Sequence, residues 1–189
     1  MTLPPTPQPL RVAANLAARL ARIAAAPFFD ARLLRGRHFQ SIRSPGWRWV
    51  MAGIWYQRVL GINREANWPV SPWVRVICPH NIRFSPDDMQ NFWSFGIYFQ
   101  ASEDAELVIG DGVYIGPNVG LITSGHVPGN PTVRKRGHAI ILGARSWIGM
   151  NSTLLPGCEL LPGTTVGAGA TLERGRHSGV VRGWRNQGD

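Results

Sequence analysis

The stretch VIGDGVYIGPNVGLITSGH, residues 108–126, decides the fold, because an aliphatic residue returns in it every six positions. Ile109 and Ile115 are each followed by glycine, and Leu121 continues the same spacing. After Leu121 the spacing stops. The first residue beyond that point whose side chain is suited to proton transfer near neutral pH is His126. A histidine thus stands where a regular pattern ends.

The six-residue spacing continues over much of the second half of the chain and fails at Glu103. Aliphatic residues at this spacing are Ile97, Ile109, Ile115, Leu121, Leu142, Ile148, Leu154, Leu160, Val166 and Leu172. Small or modest residues follow four positions later, at Val113, Val119, Ser146, Ser152, Cys158, Thr164 and Ala170. Glycine directly follows the aliphatic residue at Gly110, Gly116, Gly143, Gly149 and Gly167.

A period of six fits neither an α-helix nor a single strand. It fits a chain that makes a short strand, turns and repeats, so that three hexapeptides close one triangular coil. We therefore predict an all-β fold, a parallel β-helix over residues 97–174. In this coil the aliphatic residue points inward, the small residue fills the corner, and glycine serves a tight turn in which a Cβ would strain the backbone.

The coil must be interrupted between Leu121 and Leu142. These residues are 21 positions apart, three more than a multiple of six. We predict a loop over residues 124–139, with His126 near its start and His138 near its end. Long loops in compact domains are commonly functional. The loop also carries a run of three basic residues, which is typical either of a solvated surface or of a site for anionic groups.

The positive charge is concentrated in the first third of the chain. The 189 residues carry a net charge of +9, yet residues 1–64 hold ten arginines and a single acid, Asp30. Residues 65–189 hold equal numbers of basic and acidic groups. Such an excess favours an anionic partner, namely a membrane surface, a polyanion or an acidic substrate. A solvated or self-packed arginine-rich helix would give the same composition.

Five segments are predicted along the chain: a disordered tail over 1–9, a basic helical extension over 10–64, an irregular linker over 65–96, the β-helix over 97–174, and a tail over 175–189. In the extension, an apolar stripe lies about 100° around a helix from an arginine stripe. The apolar stripe consists of Val12, Leu16, Leu20 and Ile23. This arrangement fits either an anionic membrane surface reached through residues 10–60 or packing on the protein's own body.

Composition also bears on location. No run of about 18 apolar residues occurs, and no basic segment precedes an apolar one at the start of the chain. Cys78 and Cys158 lack metal-type spacing and are expected to be reduced thiols. No nucleic-acid-binding motif accompanies the interleaved arginines and tryptophans, so no nucleic-acid partner is expected. We expect a cytoplasmic protein, peripheral on the inner membrane face if the basic extension binds lipid.

Two parts of the chain resemble a known family. The opening stretch, followed by LGARSWIGMNSTLLPGCELLPGTTVGAGATL at 142–172, resembles the hexapeptide-repeat (left-handed β-helix) O-acetyltransferases. The likeness is to the maltose/galactoside acetyltransferase-like group and, nearest, the bacterial polysaccharide-biosynthesis acetyltransferases. The segment WPVSPWVRVICPHNIRFSPDDMQNFWSFGIYFQ at 68–100 resembles the latter subgroup. The resemblance implies a homotrimer with acetyl-CoA, the acyl donor, in a groove between neighbouring β-helices, and no metal.

The resemblance also implies roles for individual residues. His126 would be the catalytic base, and Trp147 would lie beside it and the pantetheine arm. Backbone groups near four residues would line that arm, namely Gly149, Met150, Ala168 and Gly169. Arg174 would contact the nucleotide phosphates. The acceptor pocket would be lined by Asn91 and Phe92.

The sequence departs from the family pattern after the last coil and beside the histidine. The tail VVRGWRNQGD lacks the usual Gly-x-Pro-Ala-type motif, and the usual lysine near Arg174 is missing. Val127 follows His126 where many relatives have an acid, so the group that orients the imidazole is unassigned.

The expected reaction moves an acetyl group from acetyl-CoA to a hydroxyl of a sugar or polysaccharide precursor. No serine or cysteine beside His126 is an obvious covalent nucleophile, except Ser124 on the same turn, so direct transfer in a ternary complex is favoured. Two alternatives stay open: a non-catalytic β-helix trimer scaffold and a metal-dependent carbonic anhydrase-like protein. The latter needs three histidines on neighbouring turns.

Overall fold

The N-terminal third is helical. The structure, a computed structural model, describes the backbone of residues 8–182 and the side chains of residues 14–182. Helix α1 spans Gln8–Ala25, and α2 spans Gly46–Gly53 and continues into a π-helical segment, Ile54–Val59. Most of the predicted tail, residues 1–7, and the side chain of Val12 lie outside the described residues. Within residues 8–182, no helix has the length and apolarity that crossing a bilayer requires.

The rest of the described chain forms three parallel sheets, which are the faces of a triangular coil. The first face contains β1 (Arg75–Ile77), β3 (Tyr98–Gln100), β6 (Gly120–Ile122), β11 (Thr153–Leu154) and β14 (Thr171–Leu172). The second face contains β2 (Ile82–Arg83), β4 (Leu107–Ile109), β9 (Ile140–Leu142), β12 (Cys158–Leu160) and β15 (Gly175–His177). The third face contains β5 (Tyr114–Ile115), β10 (Trp147–Ile148), β13 (Thr165–Val166) and β16 (Val180–Val181). An antiparallel hairpin, β7 (His126–Val127) and β8 (Asn130–Arg134), projects from the coil. Two 3₁₀ segments, Pro79–Asn81 and Pro86–Phe92, lie among the first strands.

The predicted aliphatic positions form the core. On the third face, Ile148 pairs with Val166, 18 positions later, and with Ile115, 33 positions earlier. The longer separation contains the predicted loop. The predicted corner residues are all buried, and burial raises the pKa of the Cys158 thiol to about 12, as expected for an inert corner residue. The left-handed parallel β-helix is confirmed.

The predicted phase is wrong at Ile97. The observed register pairs Phe99 with Leu121, which places Phe99 in the inward column and Ile97 two positions before it. These partners are 22 positions apart rather than 18, because a turn with a bridge between Ser102 and Ala105 lengthens the coil there. Both Ile97 and Phe99 are apolar and buried, so the residue types in this segment do not reveal the shift in phase.

The reason predicted for the repeated glycines is also corrected. Gly110, Gly116, Gly143 and Gly149 do not adopt positive φ; they lie against the backbone of the following turn. A Cβ on Gly143 would lie 2.5 Å from the carbonyl oxygen of Leu160. Positive φ occurs instead at the other turns, for example at Gly112. Coil stacking, rather than turn strain, selects these glycines.

Gly143→Ala is expected to lower the free energy of unfolding by about 3 kcal/mol, because its Cβ would meet rigid backbone. Gly167→Ala is the matched control. It occupies the same position of the repeat, but the nearest atom to its Cβ would be 3.4 Å away, and its φ is not positive. The control should stay within about 1 kcal/mol of wild type. Urea unfolding of both variants measures the difference, and equal losses would contradict close stacking as the cause.

Parallel strands extend beyond the range 97–174 at both ends. β1 and β2 lie within the predicted linker 65–96, and β15 and β16 lie within the predicted tail 175–189. They pair with regular turns of the coil, but no six-residue spacing marks the two early strands, since successive partners there are unevenly separated.

Side chains occupy the outer edges of the first strands. Asn63 donates to the carbonyl of Val74 at 2.7 Å and accepts from the N–H of Val76 at 3.0 Å, along β1. Asn91 does the same along β5, with Val113 and Ile115 as partners, at 2.9 and 3.1 Å. An amide side chain thus offers the donor and acceptor that a further strand would offer.

An aromatic cluster packs beneath these edges. Phe92 lies at its centre, with ring centroids 4.6 Å from Phe84, 4.6 Å from Phe99 and 5.1 Å from Trp68. The cluster joins the interior of the β-helix to the N-terminal third, because residues of both regions belong to one continuous core.

Candidate functional site

The loop that interrupts the coil is held firmly at its base. The His138 N–H donates to the carbonyl of Thr123 at 2.8 Å, and the Lys135 N–H donates to the carbonyl of Gly125 at 2.9 Å. The Gly137 N–H donates to a carboxylate oxygen of Asp104 at 2.8 Å. The loop that carries His126 is therefore hydrogen-bonded to the coil near both of its ends.

Asp104 is the charged part of this anchor. The hydrogen bond from the Gly137 N–H holds the pKa of its carboxyl below the ordinary value. The Ser102 hydroxyl, at 2.8 Å, and the positive charge of Arg136 lower this pKa further. A carboxyl whose pKa is lowered by folding stabilises the folded state above its unfolded pKa, and this stabilisation is lost as the pH falls through the folded value. The anchor should therefore loosen only at acid pH, below the ordinary value of 3.8.

Asp104→Asn should loosen the loop at neutral pH, because the amide keeps the shape but removes the charge that Gly137 and Arg136 favour. Amide hydrogen exchange in residues 124–139 should accelerate by about tenfold while exchange in the coil stays unchanged. Asp111→Asn, at another turn of the coil, is the control. Unchanged exchange in the loop would show that the backbone contacts alone hold it.

His126 stands at the start of the hairpin. It is the first residue of β7, it pairs with Arg134 of β8, and its side chain is exposed. Within the described part of the chain, no group donates to or accepts from its imidazole. The orienting group that the sequence left unassigned is thus not supplied by residues 14–182 of the same chain.

The third face carries an exposed apolar band. Trp147 is 60 % exposed and pairs with Tyr114 on one side, and Tyr114 is also more than half exposed. Thr165 follows Trp147 on the next turn, the exposed Val180 follows on the turn after that, and Met150 flanks the row at the corner. Tyr114 was missed by the sequence analysis, although it precedes an inward Ile-Gly pair as Trp147 does.

The predicted pantetheine-lining residues lie together on two successive turns. They occupy the corner between the third and first faces, and the Gly169 N–H donates to the Met150 carbonyl at 2.9 Å. Gly149 lies against the backbone of Ala168. These four residues and Trp147 therefore form one continuous edge of the coil.

His126 and Arg174 lie elsewhere. The loop with His126 leaves the coil between β6 and β9, and Arg174 lies between β14 and β15, so both belong to the corner between the first and second faces. In a triangular coil that corner is opposite the third face, which carries Trp147. A single chain therefore divides the predicted site between two opposite parts of its surface.

Asn91 and Phe92 are placed in the interior. Asn91 is 2 % exposed and uses its amide on the backbone of β5, and Phe92 lies within the aromatic cluster. This placement does not support direct contact between either side chain and an acceptor. Nothing in the local sequence around Asn91 and Phe92 distinguishes an amide that pairs with a strand edge from one that lines a pocket.

No cluster of three or more histidine, cysteine or acidic residues that could hold a metal ion occurs among the residues that the structure describes. His126 and His138 are at opposite ends of the loop, and no third histidine joins them in that part of the chain.

Comparison with known proteins gives a partial match. No protein-family model matches the chain. Over 83 residues it is 30% identical to the galactoside O-acetyltransferase of Lactococcus lactis subsp. lactis (strain IL1403) and 34% identical to that of Escherichia coli (strain K12). Each match covers 42% of this chain, and the chain spans 40% of the length of each of these curated relatives. These similarities support the resemblance to the hexapeptide-repeat acetyltransferases.

Proposed function

We propose that the protein is an acetyl-CoA-dependent O-acetyltransferase that acts on a hydroxyl of a sugar or polysaccharide precursor. One observation carries the proposal: an exposed histidine, His126, stands at the exit of a firmly anchored loop in an otherwise regular β-helix. Similarity to two galactoside O-acetyltransferases supports the reaction class. Assignment to the polysaccharide-biosynthesis subgroup is part of the same proposal.

In the proposed reaction His126 is the general base. Its neutral imidazole takes the proton of the acceptor hydroxyl while the oxygen attacks the thioester carbonyl. The tetrahedral oxyanion is stabilised by a backbone N–H or by the indole N–H of Trp147. The carbon–sulfur bond then breaks, and the leaving coenzyme A thiolate takes the proton from His126, which returns the imidazole to its neutral form. Transfer is direct, so no acyl-enzyme forms.

We propose a homotrimer because one chain does not bring the site together. The corner with His126 and Arg174 would face the third face of a neighbouring copy, where Trp147 is exposed. The exposed apolar band on that face would be covered in part by the neighbour or by the pantetheine arm. Closed cyclic symmetry then gives three equivalent sites.

Within this site the edge formed by Trp147, Gly149, Met150, Ala168 and Gly169 would hold the pantetheine arm. Arg174, exposed on the other corner, would hold the nucleotide phosphates. Asn91 and Phe92 would act indirectly by fixing β5, which carries Tyr114 at the start of the third face.

We also propose that the basic extension contacts an anionic membrane, which would make the protein peripheral on the inner membrane face of the cytoplasm. On α1, Leu16, Leu20 and Ile23 are 56 %, 59 % and 70 % exposed, whereas Ala18 and Ala25 are buried. The apolar stripe thus faces away from the protein's own body. Apolar residues beside arginines suit a bilayer interface.

Acetyl-CoA binding and turnover test the function. Acetyl-CoA at about 100 times its Kd should stabilise the protein by about 2.7 kcal/mol in a thermal shift assay, and ADP should have a much smaller effect. An acetyl-transfer screen against nucleotide sugars and lipid-linked oligosaccharides should then find an acceptor. A folded protein that acetyl-CoA does not stabilise would favour the scaffold alternative, and stoichiometric bound zinc would favour the anhydrase-like one.

A further inference from the structure

An open cavity of about 400 Å³ lies between α1 and the turns that follow it. It is lined by Asn15, Ala18, Arg19, Arg22, Gly36, Phe39 and Gln40. Phe39 is fully buried and belongs to the core, so the cavity has a fixed apolar wall on one side. On the other side stand two arginines and two amide side chains, which are donors suited to an anion.

The two arginines of this cavity lack an anionic partner. The Nε of Arg22 donates to the carbonyl of Leu34 at 2.7 Å, which orients the guanidinium. Its terminal nitrogens, and the guanidinium of Arg19, make no hydrogen bond within residues 14–182. The pKa of Arg22 is lowered by partial burial and then by the positive charges of Arg35 and Arg19. Positive charges that repel one another around a cavity favour the binding of an anion there.

The nearby carboxylates are already engaged. Asp30, the single acid of residues 1–64, forms an ion pair with Arg32 at 2.7 Å. Asp87 lies against Gly36, but it accepts the Arg37 N–H at 2.6 Å. Among residues 14–182, neither acid forms an ion pair with Arg19 or Arg22, although the Asp87 carboxylate keeps its charge beside Gly36.

The position of the arginines on α1 relates the cavity to the exposed apolar stripe. Successive helical residues lie about 100° apart, so Arg19 is about 40° from Ile23 around the helix. Arg22 lies a further 60° from the stripe, on the side of the buried Ala18. A bilayer that receives Leu16, Leu20 and Ile23 would thus place its headgroup layer beside the cavity.

We propose that this arginine cavity binds the phosphate group of an anionic lipid. Two guanidinium groups and the amides of Asn15 and Gln40 would hold the phosphate oxygens, and the apolar stripe would contact the acyl region. The proposal adds a phosphate site to the proposed membrane contact and does not depend on acetyl transfer.

Vesicle binding by the full chain tests the proposal. Sedimentation with vesicles of phosphatidylcholine containing phosphatidylglycerol should show binding, and Arg19→Gln/Arg22→Gln should weaken it by about tenfold or more. Arg43→Gln/Arg64→Gln removes the same charge from the same third of the chain and should weaken binding by about twofold at most. Arg19→Lys/Arg22→Lys keeps the charge but loses the planar donor pair, so its binding should lie between wild type and the glutamine variant.

Each result decides between the cavity and general electrostatics. Equal weakening by the two glutamine double variants, with unchanged melting temperatures, would overturn the cavity while leaving a membrane contact in place. Absence of vesicle binding by the wild type would overturn both. Inorganic phosphate in millimolar amounts that abolishes binding would show that free phosphate, rather than lipid, is the ligand. None of these results bears on the acetyl-transfer assay, so the two proposals fail independently.

Discussion

His126→Ala is expected to lower the acetyl-transfer rate by about 10²- to 10⁴-fold, because the acceptor hydroxyl would lose its proton acceptor. Binding of acetyl-CoA should be unchanged, since the pantetheine edge is on a different part of the coil. Steady-state transfer to the acceptor found in the screen, together with the thermal shift given by acetyl-CoA, measures both effects. The side chain is exposed and makes no hydrogen bond within the described part of the chain, so folding should not change.

His138→Ala is the matched control for this variant. His138 is at the other end of the same loop, and its hydrogen bond to the Thr123 carbonyl is made by its backbone N–H, which alanine retains. Its rate should fall by less than about tenfold. A His126→Ala protein that turns over at the wild-type rate would exclude His126 as the base.

Mixing two inactive variants should restore activity if each site is shared between chains. His126→Ala lacks the base, and Ala168→Trp fills the exposed pantetheine edge. In a cyclic trimer that contains both variants, about one third of the interfaces would combine an intact loop with an intact edge. Co-expression with two tags, purification of mixed trimers and measurement of turnover should therefore give about a third of the wild-type rate per site.

Each variant expressed alone should stay inactive, and both should keep the melting temperature of the wild type within a few degrees. Mixed trimers without recovered turnover would show that one chain contains a whole site. The loop with His126 would then have to reach the third face of its own chain, but it leaves the coil at the opposite corner.

The regular part of the fold was predictable because one physical rule repeats. From Ile109 to Leu172 each inward residue stacks on its equivalent in the next turn, so burial alone enforces the spacing. The first turns were not predictable, since Val76, Phe99 and Leu121 are 23 and 22 positions apart rather than the 18 of a regular turn. Their register depends on side chains such as Asn63, whose partners no local pattern indicates.

The site was predictable only in part. The phase break located the loop that carries His126, and the resemblance supplied the role proposed for it. The resemblance likewise supplied the role of Trp147, but the sequence does not say which chain faces it. Asn91 shows the limit of the sequence: an amide at an edge strand and an amide in a pocket look alike until the backbone partners are known.

The amides of Asn63 and Asn91 have a consequence for solubility. A parallel coil with a bare first turn would expose unpaired N–H and C=O groups, onto which another copy could add end to end. Here those groups are occupied along β1 and β5, and aromatic packing lies beneath them. On two of the three faces, the N-terminal edge of the coil is thereby closed to the end-to-end addition that fibre growth requires.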